Sequence, residues 1–175
     1  MSGGRGRWKV AAAAVGVVAI GVVAFLAYGG LGPSGTPRHR LTVWVEASRL
    51  GQVVGTLEAD AARVTTAVAD HRDARVMHTI CGVLLTDAQS ANGDLPTPDG
   101  GLTNTLARAY ELEYEAGNDC YSAGSTNTEL LNRSAVERRE AATQFSRALD
   151  RVEQVTGRPL STTTTTEPGG GGVFG

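Results

Sequence analysis

The sequence predicts an all-α protein, with an N-terminal single transmembrane helix followed by a three- or four-helix bundle at residues 38–160. Three observations support this prediction. Residues 10–28 form an uncharged, apolar run. Within the bundle region, apolar residues recur at steps of three and four, which is the spacing of helices that bury one face. No stretch shows the sustained apolar and polar alternation of a half-buried strand.

The apolar run from Val10 to Tyr28 predicts a membrane anchor. Nineteen helical residues span about 28 Å, close to the ~30 Å hydrocarbon core of a bilayer. Three basic residues precede this run, and the segment after it is neutral until Arg38. By the positive-inside rule, residues 1–9 lie in the cytoplasm and the chain after residue 28 lies outside. We predict a single-pass cell-membrane protein with an uncleaved signal anchor. The alternative is a cleaved signal peptide, which also places the domain outside the cytoplasm.

The charge of the region after the anchor limits its partners. From position 30 onward, thirteen arginines stand against eighteen acidic residues, so the net charge of this region is near -5. Nucleic acids and anionic lipid surfaces attract basic proteins. We therefore predict no nucleic-acid partner, and the expected partners are the membrane bilayer and another envelope protein. The sequence predicts no oligomeric state.

The bundle is predicted to begin directly after a linker. Residues 29–37 are rich in Gly, Ser and Pro, which is typical of a flexible linker. Thr36 and Pro37, at its end, are the residue types of a helix N-cap and first turn. An apolar stripe from Leu41 to Val68 then predicts one first helix, although two glycines weaken its middle.

One break, which contains a glycine and two prolines, separates the next two helices. We predict a second helix that opens near Asp70 and ends at Asn92-Gly93. The two prolines that follow favour an extended segment, after which Asp99 caps a third helix. The apolar stripe of this third helix runs to Tyr121 and is interrupted by one charged residue, Glu113.

A fourth helix closes the predicted bundle. Its apolar stripe extends from about Thr128 to Thr156, and Gly157 ends the helix. Residues 161–175 contain a run of threonines and four consecutive glycines. Because such a segment is too polar and simple to pack, we predict a disordered tail.

Cys81 and Cys120 are the only cysteines, and each lies on the apolar stripe of its predicted helix. Outside the cytoplasm such a pair predicts one disulfide, with two buried free thiols as the alternative. A tight hairpin would leave the two residues about 15 Å apart along the helix axis. The bridge therefore requires the segment from Gly93 to Pro98 to run back along the third helix, ordered and packed.

Histidines and aromatic residues are weak candidates for a site. His71 and His78 are placed two turns apart on one helix, about 10 Å from each other, too far to share a metal ion without other ligands. We predict no metal site there. Trp44 and three tyrosines could line a ligand groove, but helical spacing favours Trp44, Tyr110 and Tyr121 as core residues.

Four acidic residues on the third helix form the other candidate. Glu111 and Glu115 are neighbours of like charge one turn apart, the usual appearance of a solvated helix face, and Glu113 and Asp119 are interpreted with them. No serine motif for nucleophilic catalysis is present, and the only lysine is Lys9. We predict no catalytic residue, no cofactor and no enzymatic activity.

One group of residues resembles a known pattern. The matching residues are Cys81 to Asp87, Leu95 to Asp99, Leu102, Leu106, Ala109 and Asp119-Cys120. This part of the chain resembles a loose group of uncharacterised actinobacterial membrane-anchored or secreted helical proteins, which share paired cysteines and an LPxPD-like loop. The resemblance implies the helical fold and the paired cysteines, and it implies no activity.

These observations predict a membrane-anchored, extracytoplasmic helical module that interacts with other components of the cell envelope. The alternative is a small-ligand or lipid-binding helical domain tethered to the membrane. A large internal pocket lined by Trp44 and Tyr110 would favour the alternative, and a filled core would count against it.

Overall fold

The computed structural model describes residues 35–162, and this part of the chain is all-helical, as predicted. Its five helices are α1 (Pro37–Ser48), α2 (Leu50–Ala69), α3 (Ala74–Asn92), α4 (Gly100–Ala123) and α5 (Thr128–Thr156). None of these helices is both long and apolar enough to cross a membrane. The predicted cytoplasmic segment 1–9, the anchor 10–28, most of the linker 29–37 and the tail from residue 163 lie outside the described residues.

The predicted start of the bundle is confirmed. The Thr36 side chain accepts a hydrogen bond of 3.3 Å from the backbone N–H of His39, and Pro37 occupies the first turn. The first N–H groups of a helix have no partner within the helix. Thr36 satisfies one of them, and Pro37 has no N–H group that would need a partner.

The single first helix that the sequence predicts is wrong, because the chain breaks at Arg49. This residue has φ 52° and ψ 39°, a left-handed conformation that ends α1 and begins α2. The break explains why five helices are present instead of three or four. Gly51, by contrast, lies within α2, where the carbonyl of Ser161 packs against it.

Helix α3 begins later than predicted. Asp73 is its N-cap and accepts hydrogen bonds from the N–H groups of Arg75 and Val76, at 2.9 and 3.0 Å. Asp70 instead ends α2, and His71 lies in the turn with φ 52°. The predicted end of the helix at Asn92 is confirmed.

The segment before α4 is ordered and packed, as the disulfide requires. Leu95 packs against the core, and Thr97 is buried with its N–H donating to the hydroxyl of Thr103, at 2.9 Å. Asp99 caps α4 by accepting a 2.8 Å hydrogen bond from the N–H of Leu102. The same carboxylate accepts a 2.8 Å hydrogen bond from Arg151 of α5, which ties the start of α4 to the end of the last helix.

Helices α3 and α4 approach most closely around Gly117, where a side chain would not fit. A methyl group at this position would lie 2.8 Å from the backbone nitrogen of Leu85. One turn further along α4, Cys120 forms a disulfide with Cys81 of α3, and their Cα atoms are 5.6 Å apart. The predicted bridge is therefore present, and both cysteines are fully buried.

All five helices contribute to one hydrophobic core. Among its fully buried side chains are Leu41, Leu57, Leu84, Leu106 and Phe145. Helices α4 and α5 form the most extensive pair, followed by α3 and α4. Helix α5 starts after its N-cap Asn127 and is ended by Gly157, as predicted. The φ of Gly157 is 70°, a conformation that favours glycine.

We expect Gly117→Ala to destabilise the full-length protein by about 1–3 kcal/mol, because the added methyl group overpacks the contact with Leu85. Gly82→Ala is the matched control, since a methyl group there meets Tyr121 at an ordinary 3.9 Å and replaces a glycine inside α3. It should be neutral or stabilising. Urea unfolding in detergent measures both, and equal stability of the two variants would contradict the close contact.

Removal of the disulfide in the Cys81→Ala, Cys120→Ala variant should lower the unfolding free energy by about 2–5 kcal/mol, because the unfolded chain loses a cross-link between residues 39 positions apart. Urea unfolding with and without reductant measures the effect. Reductant should lower the stability of the wild-type protein and leave that of the variant unchanged. A wild-type protein insensitive to reductant would contradict the bridge.

Candidate functional site

A groove between α3 and α4 is the candidate binding site. It has a volume of about 620 Å³, within the range of small-ligand and peptide sites, and it opens to solvent. Helix α3 contributes Ala88, Gln89 and Asn92, and helix α4 contributes Asn104, Ala107, Arg108, Tyr110, Glu111 and Tyr114. From Asn104 to Tyr114 the groove follows α4 for about 15 Å.

Two small residues line the groove among longer side chains. Ala88 of α3 and Ala107 of α4 leave space where larger side chains would close the contact. Tyr110 is buried beside them, with its ring centre 5.8 Å from that of Phe145. Burial and the nearby Asp94 raise the pKa of the Tyr110 phenol, so this hydroxyl stays neutral. The inner part of the groove is therefore uncharged.

The rim of the groove is polar and locally neutral. Arg108 donates a 2.7 Å hydrogen bond to Glu111, and this bond raises the pKa of its guanidinium. Because the pair is exposed, its contribution to stability is small. Three amide side chains, those of Gln89, Asn92 and Asn104, complete the rim, and each can both donate and accept hydrogen bonds.

Tyr114 supplies an exposed aromatic surface at one end of the groove, with 42% of the residue accessible to solvent. Further along α4, Tyr121 stacks on His78 of α3, and their ring centres are 4.6 Å apart. The contact of Gly117 with Leu85 lies between these two aromatic groups in the sequence of α4.

The histidines that were considered for a metal site are not on one helix. His71 lies in the turn between α2 and α3, whereas His78 lies on α3 and stacks on Tyr121. Within residues 35–162, no group of three or more His, Cys, Asp or Glu side chains is placed to hold a metal ion.

The interpretation of four acidic residues as one solvated face is only partly right. Glu111 and Glu115 are exposed, as predicted, but Glu113 is 1% exposed and Asp119 is buried. Asp119 forms a two-fold hydrogen bond with Arg133 of α5, one arm of which measures 2.6 Å. The position of Glu113 on the apolar stripe was the signal that it turns inward.

The prediction that three aromatic residues lie in the core is confirmed for Tyr110, partly confirmed for Trp44 and wrong for Tyr121. Tyr110 is in the core, and Trp44 is partly buried against it. Tyr121, predicted as a core residue, is 48% exposed because its ring lies over α3 beside Gly82 instead of between the helices.

Sequence reasoning missed several buried polar residues. Asp60 on α2 is 1% exposed, and Ser134 and Arg138 occupy inward positions in the first half of α5. Counting back from Phe145 in helical steps reaches residues 141, 138 and 134, so the spacing contained this signal. The predicted stripe of this helix instead begins with the apolar residues Leu131 and Ala135, which lie on a neighbouring face.

We compared the chain with protein-family models, with curated proteins and with solved structures, and none of the three comparisons found a match. The function must therefore be argued from the groove and the rest of the described residues.

Proposed function

We propose that the protein is a membrane-tethered interaction module of the cell envelope, whose α3–α4 groove binds an extended segment of another envelope protein. Residues 10–28 anchor it as a single-pass protein, residues 1–9 remain in the cytoplasm, and the bundle lies outside the cytoplasm. The observation that carries the proposal is the groove itself, which combines an uncharged inner surface with an amide-rich rim. The proposal includes no catalytic step and no cofactor.

An extended polypeptide segment matches the chemistry of this groove. Backbone N–H and C=O groups find both acceptors and donors in Gln89, Asn92 and Asn104. A groove of about 15 Å accommodates four or five extended residues at ~3.3 Å each. Because Arg108 is paired with Glu111, a segment without net charge fits better than an acidic or basic one.

Two observations support placement outside the cytoplasm. The apolar run at residues 10–28 follows a basic segment and precedes a neutral one. The bundle contains a disulfide between Cys81 and Cys120, and such bonds persist mainly in oxidising compartments.

The alternative prediction, a domain that holds a small ligand or lipid inside, is less well supported. It calls for an internal cavity lined by Trp44 and Tyr110. Tyr110 lines the α3–α4 groove, but this groove opens to solvent and Trp44 is not part of it. Both residues instead belong to or pack against the core. This arrangement favours binding at the surface.

Photo-cross-linking in cells that make the full-length protein tests the proposal. With a photoreactive amino acid at Tyr114, we expect one dominant adduct with an envelope protein, identified by mass spectrometry. The same amino acid at Val136 of α5 is the matched control, because Val136 is exposed to a similar extent, 43%, and does not line the groove. The control position should give little or none of this adduct.

The substitution Ala107→Trp then fills the groove, because Ala107 is a half-buried residue of its lining. It should abolish the adduct at Tyr114 while the melting temperature stays near that of the wild type. Equal labelling at both positions, or an adduct that survives the Ala107→Trp substitution in a folded protein, would contradict the proposed role of the groove.

A further inference from the structure

A group of acidic side chains lies where α2, α3 and α4 meet, and none of them lines the groove. We call Glu113, Asp60 and Asp87 the buried acidic cluster. Glu113 on α4 and Asp60 on α2 are each 1% exposed. One oxygen of each, Oε2 of Glu113 and Oδ2 of Asp60, is buried and accepts no hydrogen bond from the described residues. Two buried carboxylates with unpartnered oxygens are costly in the charged form.

The charged groups around the cluster do not neutralise it. From α5, Arg138 attracts Glu113 through its charge, and its Nη1 donates to the hydroxyl of Ser134 at 2.6 Å. From α2, Glu58 adds a second negative charge that faces Glu113. Arg63 donates to Asp60 at 2.6 Å but is itself largely exposed.

Protonation relieves this repulsion. A protonated Asp60 can donate a hydrogen bond to Asp87 of α3. Two ionised carboxylates cannot form this bond, because neither has a proton to donate. Burial, followed by the carboxyl of Asp87, raises the pKa of Asp60 to about 6. Burial, followed by the charges of Asp60 and Glu58, raises the pKa of Glu113 to about 8, against the opposing effect of Arg138.

Helix α2 is the element best able to respond. Helix α4 is fixed to α3 by the disulfide and pairs extensively with α5. Helix α2 has only slight contact with α4, and it joins α1 through the left-handed residue Arg49. Although α2 also packs against α3, a repulsion between Asp60 and Glu113 acts on the α2–α4 contact, which is the slightest of the helix contacts in the bundle.

We propose that the buried acidic cluster makes the packing of α2 against α4 depend on protons, so that the bundle is closed in acid and α2 separates from α4 when the cluster ionises. This inference is independent of what binds in the groove. Both pKa values are raised above those of the unfolded chain, so the folded state holds more protons between about pH 4 and pH 8. Stability is therefore highest at the acidic end of this interval and falls as the pH rises.

The experiment measures thermal unfolding and amide hydrogen exchange of the full-length protein in nanodiscs from pH 4 to pH 8.5. For each extra proton held by the folded state, the unfolding constant should rise by about tenfold per pH unit. After correction for intrinsic exchange rates, amides of α2 should lose protection at high pH before those of α4. Glu113→Gln should remove most of this dependence, and the exposed control Glu111→Gln on the same helix should retain it.

Two results of this experiment would overturn the proposal. One is a wild-type protein whose stability and α2 exchange do not change between pH 5 and pH 8. The other is a loss of protection spread evenly over all helices. If the Glu113→Gln variant fails to fold, the Asp60→Asn variant replaces it. In this second variant the unfolding free energy should change less between pH 4 and pH 6 than in the wild type. A carbon-13 titration of the wild-type glutamate carboxyls needs no variant, and the absence of any resonance that titrates far above pH 4.5 would also overturn it.

Discussion

The close antiparallel contact of α3 with α4 is the constraint on which the rest of the structure depends. Gly117 allows the backbone of Leu85 to approach to a distance that no other residue permits, and the Cys81–Cys120 disulfide locks the same register one turn away. Since α4 continues well beyond the end of α3, the segment before Asp99 must return along it, and this segment is accordingly packed. The groove lies on the same helix pair, so its shape follows from the same register.

The contact of α4 with α5 combines apolar packing with hydrogen bonds between the helices. Arg133 binds Asp119, and Ser134 donates a 2.7 Å hydrogen bond to the carbonyl of Ala116. Such groups specify one alignment, because any shift would leave buried donors and acceptors without partners. Glu113 of α4 lies outside these hydrogen bonds, and its buried Oε2 has no hydrogen-bond partner among the described residues.

Local chemistry made much of the fold predictable from the sequence. The side chains of Thr36 and Asp99 cap the starts of the helices that they were predicted to begin. The left-handed backbone of Gly157 ends the helix that it was predicted to end. The break at Arg49 has no such signal, because arginine is not a residue type that favours a left-handed conformation. At the start of α3, two aspartates three residues apart were both suitable caps, and only packing decides between them.

The groove could not be predicted, since it depends on which residues of two helices face each other. Ala88 and Ala107 are unremarkable in the sequence and leave a space only in the register that the disulfide fixes. The burial of Glu113 was partly foreseeable from its place on an apolar stripe, but that of Asp60 required its neighbours on α3 and α4 to be known. The anchor, the placement of the bundle outside the cytoplasm and the resemblance to actinobacterial membrane-anchored or secreted helical proteins remain predictions.

The most direct test of this account determines the state of the two cysteines in the cells that make the protein. Intact cells are treated with a membrane-permeant alkylating agent, and the peptides of the protein are then analysed by mass spectrometry with and without reduction. The account predicts one linked pair, Cys81 with Cys120, that becomes alkylated only after reduction. Alkylation of both thiols before reduction would contradict the fixed register of α3 and α4 and the placement of the bundle in an oxidising compartment.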